Sequence, residues 1–268
     1  MAPDELHNFL MASLQDTLQN NLLALIVFGS GNNGDYLPQI SDVDYFAILE
    51  TIDSSVLNKI ETSKRKVAET HSVKLDIKPI TINEVRCELQ RDHGTGFFNG
   101  WAIHALKNGY QKIVYDRCHL ADSISNTNIP LHTHCDERLA YYVHKLRKAI
   151  QGESFIFHNT IKRLTKEEQY KVAVSSIKNI LTFSNALQGK FVYTNDQVLR
   201  IIADEKLRAA VSKVFENKRT CNYDLNDLLA AYNLIEKYNM LQVETYQNNK
   251  QVPNKMLQEQ NHEYQSHH

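Results

Sequence analysis

The spacing of apolar positions changes several times along the chain, and each change marks an element. Leu6, Leu10, Leu14 and Leu18 recur every fourth residue with Phe9 beside them, the stripe of an amphipathic helix over about residues 4–20. Leu22 to Phe28 is a continuous apolar run, short enough for a buried strand, and Val43 to Leu49 is a second one. Between 54 and 70 the pattern returns to helical spacing through Val56, Leu57, Ile60, Val67 and Ala68. Residues Val73 to Ile80 alternate apolar and charged. That predicts a strand with Val73, Leu75 and Ile77 toward the core and Lys74, Asp76 and Lys78 on an open face. Helices are expected from about Asn83 and over 97–108, the latter capped by Gly109, and a further strand over Ile113 to Asp116.

The character then shifts. Residues 121–134 are polar, contain Pro130 and read as a linker. Beyond it the periodicity is helical: Leu139, Tyr142, Val143, Leu146 and Ile150 form one stripe, and stripes beginning at Leu207 and Leu225 form others. Thr165-x-x-Glu168 is a capping-box pattern ahead of an apolar helix that Gly189 ends, and Thr194-x-x-Gln197 caps the next. From Val243 onward Gln, Asn and His dominate, so a loosely held tail is expected, the histidines His262, His267 and His268 included. The fold class is α+β: an α/β domain over 1–120, a linker over 121–134, a helical bundle of four to six helices over 135–243 and a flexible polar tail over 244–268.

One pair of residues carries chemistry. Asp42 and Asp44 open the second strand one residue apart, so their side chains share a face about 7 Å from each other. Carboxylates held that way repel unless a cation sits between them, and Mg²⁺ is the hard ion that takes carboxylate and phosphate oxygens. The first strand runs into Gly29-Ser30-Gly31, a turn that lets the backbone approach a ligand closely. Asp76 lies downstream on the alternating strand. Taken alone it would be half of a Lys-Asp-Lys surface salt bridge of little energetic worth.

The stretch Gly29-Ser30 … Gly34-Asp35-Tyr36-Leu37-Pro38-Gln39-Ile40-Ser41-Asp42-Val43-Asp44 resembles the nucleotidyltransferase signature of the DNA polymerase β superfamily. It is most similar to the minimal bacterial members and to the two-domain antibiotic (aminoglycoside and lincosamide) nucleotidyltransferases. The resemblance implies a nucleotidyltransferase fold for the first domain, with a mixed sheet flanked by helices. It implies Asp42 and Asp44 as ligands of two Mg²⁺ ions, Gly29, Ser30 and Gly31 as contacts of a nucleoside triphosphate, and Asp76 as third metal ligand or general base. Three departures accompany it, one of them a signature loop one residue longer than usual. The loop reads Asn32-Asn33-Gly34 where the family often carries Ala-Arg-Gly, so a basic residue is missing. The basic positions flanking the second-domain glycine in streptomycin and spectinomycin adenylyltransferases correspond to Leu181 and Asn195.

Composition narrows the partners. Through residue 120 there are 11 Lys and Arg against 15 Asp and Glu, a net −4; the remainder has 19 against 16, a net +3. That balance lacks the basic stripe expected of a protein that binds duplex nucleic acid. No apolar run reaches the roughly 18 residues of a membrane span, and the N-terminus lacks the basic-then-apolar order of a signal peptide. Cys87, Cys118, Cys135 and Cys221 are scattered, so no disulfide framework is indicated and a reducing cytoplasm is expected. His132-Thr133-His134-Cys135 has soft-metal ligand types without the distant partner pair a zinc site needs. Arg138 and His144 loosely resemble the Arg–His motif of helical-bundle ribonucleases, but they do not share a helical face. Phe97, Phe98, Trp101 and Tyr110 suit core packing, with a substrate-stacking wall as the alternative.

The expectation is an enzyme moving a nucleoside monophosphate, AMP from ATP in the first instance, onto a hydroxyl of a small molecule, antibiotics among the candidates. Two alternatives stand beside it: the same chemistry on a protein or tRNA acceptor, and a silent nucleotide-binding module.

Overall fold

The computed structural model describes residues 3–33, 35–37, 41–90, 100–127, 132–156 and 160–238. The polar tail over 244–268 and the aromatic residues Phe97 and Phe98 lie outside the described residues, as do Gly34 and residues 38–40 of the signature. The chain divides into two compact units. One holds Met1–Arg138 and Gly189–Val198, the other Leu139–Gln188 and Leu199–His268.

The first unit is built on a four-stranded mixed sheet, as the α+β reading expects. Its strands are β1 (Leu22–Phe28), β2 (Asp42–Leu49), β3 (Lys74–Thr81) and β4 (Lys112–Asp116), in the order β3-β2-β1-β4. β1 pairs antiparallel with both β2 and β4, whereas β2 and β3 run parallel. The parallel step is made by α3 (Ser54–His71), the crossover such a connection requires. Asp53 caps α3 by accepting from the Val56 N–H at 2.8 Å, and Ser72 closes it in the left-handed region at φ 52°.

Both faces of the sheet are covered, and this explains why β1 and β2 read as continuous apolar runs. α1 (Pro3–Leu18) carries the four-leucine stripe and packs with α3 against Leu25, Val27, Tyr45, Ala47, Leu75 and Ile77. The opposite face, with Ala24, Ile26, Phe46, Ile48 and Ile80, is closed by Val85, Ile103 and Ile124. These come from α4 (Ile82–Gln90), α5 (Gly100–Lys107) and α6 (Leu120–Ser125) respectively. The face of β3 expected to be open is thus covered at its far end, where Ile80 is buried. It is exposed only where Lys74 and Asp76 begin it. A four-residue helical turn, α2 (Ser30–Asn33), follows β1.

Caps follow the sequence closely. Gly109 (φ 74°) ends α5 with the paired bonds Gly109 N–H to Leu106 O and Tyr110 N–H to Ala105 O, the Schellman pattern. The expected linker is helical at both its ends: α6 is nucleated by the Asp116 carboxylate, which accepts from the N–H groups of Leu120 and Ala121, and α7 (His132–Ile150) starts at His132.

The segment 189–198 belongs to the first unit through several polar and aromatic contacts. Tyr193 stacks on Tyr110 at 4.1 Å between centroids and lies 5.1 Å from Trp101. The Asn195 N–H donates to both Asp35 carboxylate oxygens at 3.2 and 3.1 Å. Thr194 and Gln197 form a full capping box, each side chain pairing with the other's backbone N–H at 3.2 Å, at the start of α9 (Asn195–Ile201).

The second unit is helical, with α8 (Lys166–Ala186), α10 (Glu205–Arg219) and α11 (residues 225–238) beside most of α7. A short hairpin, β5 (Glu153–Ile156) with β6 (Thr160–Arg163), interrupts it and was not anticipated. Thr165 and Glu168 make the expected capping box on α8. Ser176 and Asn185, buried on α8, donate back to the carbonyls of Val172 and Leu181 at 2.8 and 2.7 Å, which satisfies them within their own helix.

One buried polar pair fixes α1 to the sheet. His7, 3% exposed, places Nδ1 2.6 Å from the hydroxyl of fully buried Tyr45. Burial holds His7 below its ordinary pKa, so the unfolded chain takes up a proton there first and stability falls as pH descends through about 6.5. Tyr45→Phe leaves the His7 nitrogen without this partner. The expected cost is roughly 1–2 kcal/mol in urea unfolding at pH 7.5; an unchanged midpoint would show that the pair contributes nothing to stability.

Candidate active site

Asp42 and Asp44 stand at the start of β2, where the strand emerges from its buried run, with Val43 turned into the core between them. Before them Leu37 and Ser41 are tied to each other: the Ser41 N–H donates to the Leu37 carbonyl at 2.8 Å, and the Ser41 hydroxyl accepts from the Leu37 N–H at 3.2 Å. The parallel register of β2 and β3 pairs Asp44 directly with Asp76, and Asp42 with Lys74. All three carboxylates predicted from sequence therefore share one end and one face of the sheet. Asp44 is 28% exposed and Asp76 49%.

Burial, above all, pushes the Asp44 carboxyl up to about 6, and the neighbouring Asp76 and Asp42 charges add to it. The Lys78 ammonium works the other way. It lies 3.1 Å from Asp76 Oδ2 and 3.5 Å from Asp44 Oδ1, and 4.5 Å from the centroid of the Phe28 ring. Sequence reasoning placed Lys78 on this face and gave it no role beyond a surface ion pair. The same alternation that singles out Asp76 would have identified it. Tyr36 is held protonated by burial and, secondarily, by the Asp42 charge.

The turn after β1 is shaped by two glycines with different tasks. Gly29 has φ 66°, and a Cβ there would come 3.0 Å from Asp44 Oδ2, so glycine both permits the turn and leaves that oxygen open. Gly31 is packed: an added Cβ would meet Val43 Cγ1 at 2.6 Å and Val27 Cγ2 at 3.3 Å. Ser30 donates its hydroxyl to the Asp42 carbonyl at 3.3 Å, tying the turn to the acidic strand.

Among the described residues, no group of three His, Cys, Asp or Glu side chains is arranged to hold a metal ion. The donor set nevertheless suits a hard cation. Asp44 and Asp76 offer carboxylate oxygens already gathered around one positive charge, and the absent Cβ of Gly29 keeps a further face of Asp44 clear. Cys135 does not suit zinc, because burial and then Asp136 push its thiol up to about 12; the side chains of His132 and His134 lie outside the described residues. No described helix is long and apolar enough to cross a membrane.

Compared with protein-family models the chain matches none, and no curated protein matches its sequence. Among solved structures it is similar to spectinomycin adenyltransferase AAD(9) from Enterococcus faecialis, solved with ATP and spectinomycin. The TM-score is 0.48 and the identity 14%, over 87% of this chain and 98% of that one. A likeness at this level bears on neither activity nor substrate.

The raised pKa of Asp44 has a consequence for stability. Between about pH 4 and 6 the unfolded carboxyl ionises before the folded one, so the folded state binds more protons and loses stability as pH rises through that window. In chelator-treated buffer, Asp44→Asn is expected to be more stable than wild type above pH 6, by on the order of 1–2 kcal/mol. The advantage should shrink toward pH 4 in thermal melts. A pH-independent difference would mean that Asp44 is not in the crowded anionic setting described.

Proposed function

We propose that the protein is a nucleotidyltransferase that moves a nucleoside monophosphate from a nucleoside triphosphate, ATP in the first instance, onto the hydroxyl of a small-molecule acceptor. The observation that carries this reading is the cross-strand pairing of Asp44 with Asp76 beside Asp42, at the end of the sheet where β1 delivers Gly29 and Ser30. The Gly-Ser … Asp-x-Asp signature supports it.

In this reading each residue has a definite task. Asp42 and Asp44 would hold the divalent cations, with Asp76 as third ligand or as general base; two Mg²⁺ ions, when bound, supply neutralisation of phosphate charge and activation of the attacking oxygen. The left-handed turn at Gly29 directs backbone toward the triphosphate, and the Ser30 hydroxyl exchanges its bond to the Asp42 carbonyl for one to a terminal phosphate oxygen. As base, Asp76, the more exposed of the two carboxylates that Lys78 links, would take the proton of the acceptor hydroxyl. The acceptor oxygen then bonds to the α-phosphorus, the bond from that phosphorus to the bridging oxygen breaks, and pyrophosphate leaves in line. Gly31 acts by packing, holding the turn against Val43.

One observation favours a second reading. Lys78 already pairs with two of the carboxylates, as it would in a module that binds nucleotide without metal and without turnover.

Incubation of cell extract with α-labelled ATP and Mg²⁺ separates the possibilities. Transfer of label to a small molecule is expected with wild type, with a loss of at least about 100-fold in Asp44→Asn and in Asp76→Asn, and with chelator. Label on a macromolecule would instead identify a protein or tRNA acceptor, and equal labelling by wild type and Asp44→Asn would remove the carboxylates from the chemistry.

A further inference from the structure

We propose that Lys78 is a tethered cation that occupies the carboxylate site in the resting protein and yields it to the divalent ion, so that metal enters together with the nucleoside triphosphate rather than ahead of it. This inference rests on the nucleotidyltransferase reading and adds to it a residue that sets the order and coupling of binding.

The geometry is specific. Lys78 follows Asp76 by two residues, so strand alternation puts both on one face of β3. Its ammonium reaches across to β2, 3.1 Å from Asp76 Oδ2 and 3.5 Å from Asp44 Oδ1, and bridges two carboxylates that are direct cross-strand partners. Without a positive charge there, Asp44 and Asp76 would repel each other at neighbouring positions of a parallel pair. The ammonium also lies over the Phe28 ring, which stacks on Phe46 at 4.2 Å between centroids and 18° between planes. Phe28 is the residue immediately before the Gly29-Ser30 turn, and it pairs in register with Asp44. Lys78 thus lies beside the acidic pair and over the ring of the residue that leads into the turn the proposed function gives to the phosphates.

Two consequences follow from charge alone. A divalent ion approaching the same oxygens must displace the ammonium or bind beside a like charge, and a cation held on a short stem competes at high effective concentration. A nucleoside triphosphate supplies several negative charges at the place where Lys78 would move, so the ammonium can transfer from carboxylate to phosphate oxygens and free the carboxylates for metal. Metal and nucleotide then favour each other, and the coupling is reciprocal. Lysine suits the task better than arginine: its compact ammonium turns on a flexible four-carbon stem, whereas a guanidinium would lock bidentately onto one carboxylate.

The test is Mn²⁺ binding, measured by titration calorimetry and by paramagnetic resonance of the free ion, on wild type, Lys78→Met, Lys78→Gln and Lys78→Arg. Lys78→Met keeps the apolar stem over Phe28 and removes the charge; Lys78→Gln is the second neutral variant should the first fold poorly. With Mn²⁺ alone, the neutral variants are expected to bind about tenfold more tightly than wild type, and Lys78→Arg no more tightly than wild type. With α,β-methylene-ATP present the gap should narrow, because wild type gains affinity. In thermal melts the metal-free neutral variants are expected to be less stable than wild type and to recover with Mn²⁺. Equal Mn²⁺ affinity in wild type and the neutral variants, lost in Asp44→Asn, would overturn the role of Lys78 while leaving the metal site standing. Mn²⁺ binding that is undetectable in all of them, nucleotide present or absent, would overturn the inference and the nucleotidyltransferase reading together.

Discussion

The parallel pairing of β2 with β3 is the constraint on which the rest of this site depends. Side chains alternate along a strand, so a slip of one residue in that register would carry Asp76 to the face occupied by Leu75 and Ile77 and leave Asp44 facing an apolar position. The register is held from both ends: α3 is fixed by the Asp53 cap and by the left-handed Ser72, and Ile77 and Ile80 anchor β3 into the two cores on opposite faces. Because both sheet faces are covered by helices, β2 needs almost no polar residue along its length. The two it has are concentrated where the covering ends.

The concentration has an electrostatic cost. Asp44 is partly desolvated beside two other carboxylates, and its raised pKa reflects that. The buried runs of β1 and β2 and the leucine stripe of α1 are what hold such a site in place. Two groups of the first unit then make stability depend on pH in opposite directions. His7, kept neutral against Tyr45, favours neutral pH over acid, whereas Asp44 favours mild acid over neutral pH. Lys78 opposes the second of these tensions in part, and the Asp44 carboxyl stays raised beside it.

Much of this was legible from local pattern. The strands β1 and β2, the helices α1 and α3 and the caps at Gly109, Thr165 and Thr194 each follow from spacing within a few residues, because helix and strand periodicities are local properties. That Asp42 and Asp44 share a face was legible as well, from alternation alone, whereas Asp76 was joined to them only through the family resemblance. Contacts between residues distant in the chain were not. The return of 189–198 to the first unit rests on Asn195 meeting Asp35 and Tyr193 meeting Tyr110, and nothing in either local sequence signals the other. The His7–Tyr45 bond is hidden in the same way, each residue reading as an ordinary member of its stripe or strand. The hairpin of β5 and β6 was missed because four-residue strands are too short for a period-2 pattern to stand out. Lys78 was visible on the correct face, yet alternation says nothing about which charges an ammonium will bridge.

The central claim is that the three carboxylates and the Gly29-Ser30 turn form one metal-dependent nucleotide site. It is tested most directly by a thermal-shift titration of the four nucleoside triphosphates, with and without Mg²⁺, on wild type and on Asp42→Asn/Asp44→Asn. The account predicts that at least one nucleotide raises the melting temperature of wild type, that the rise requires Mg²⁺, and that it disappears in the double variant. A rise that is the same without Mg²⁺ or survives in the double variant would contradict it, as would no rise with any of the four.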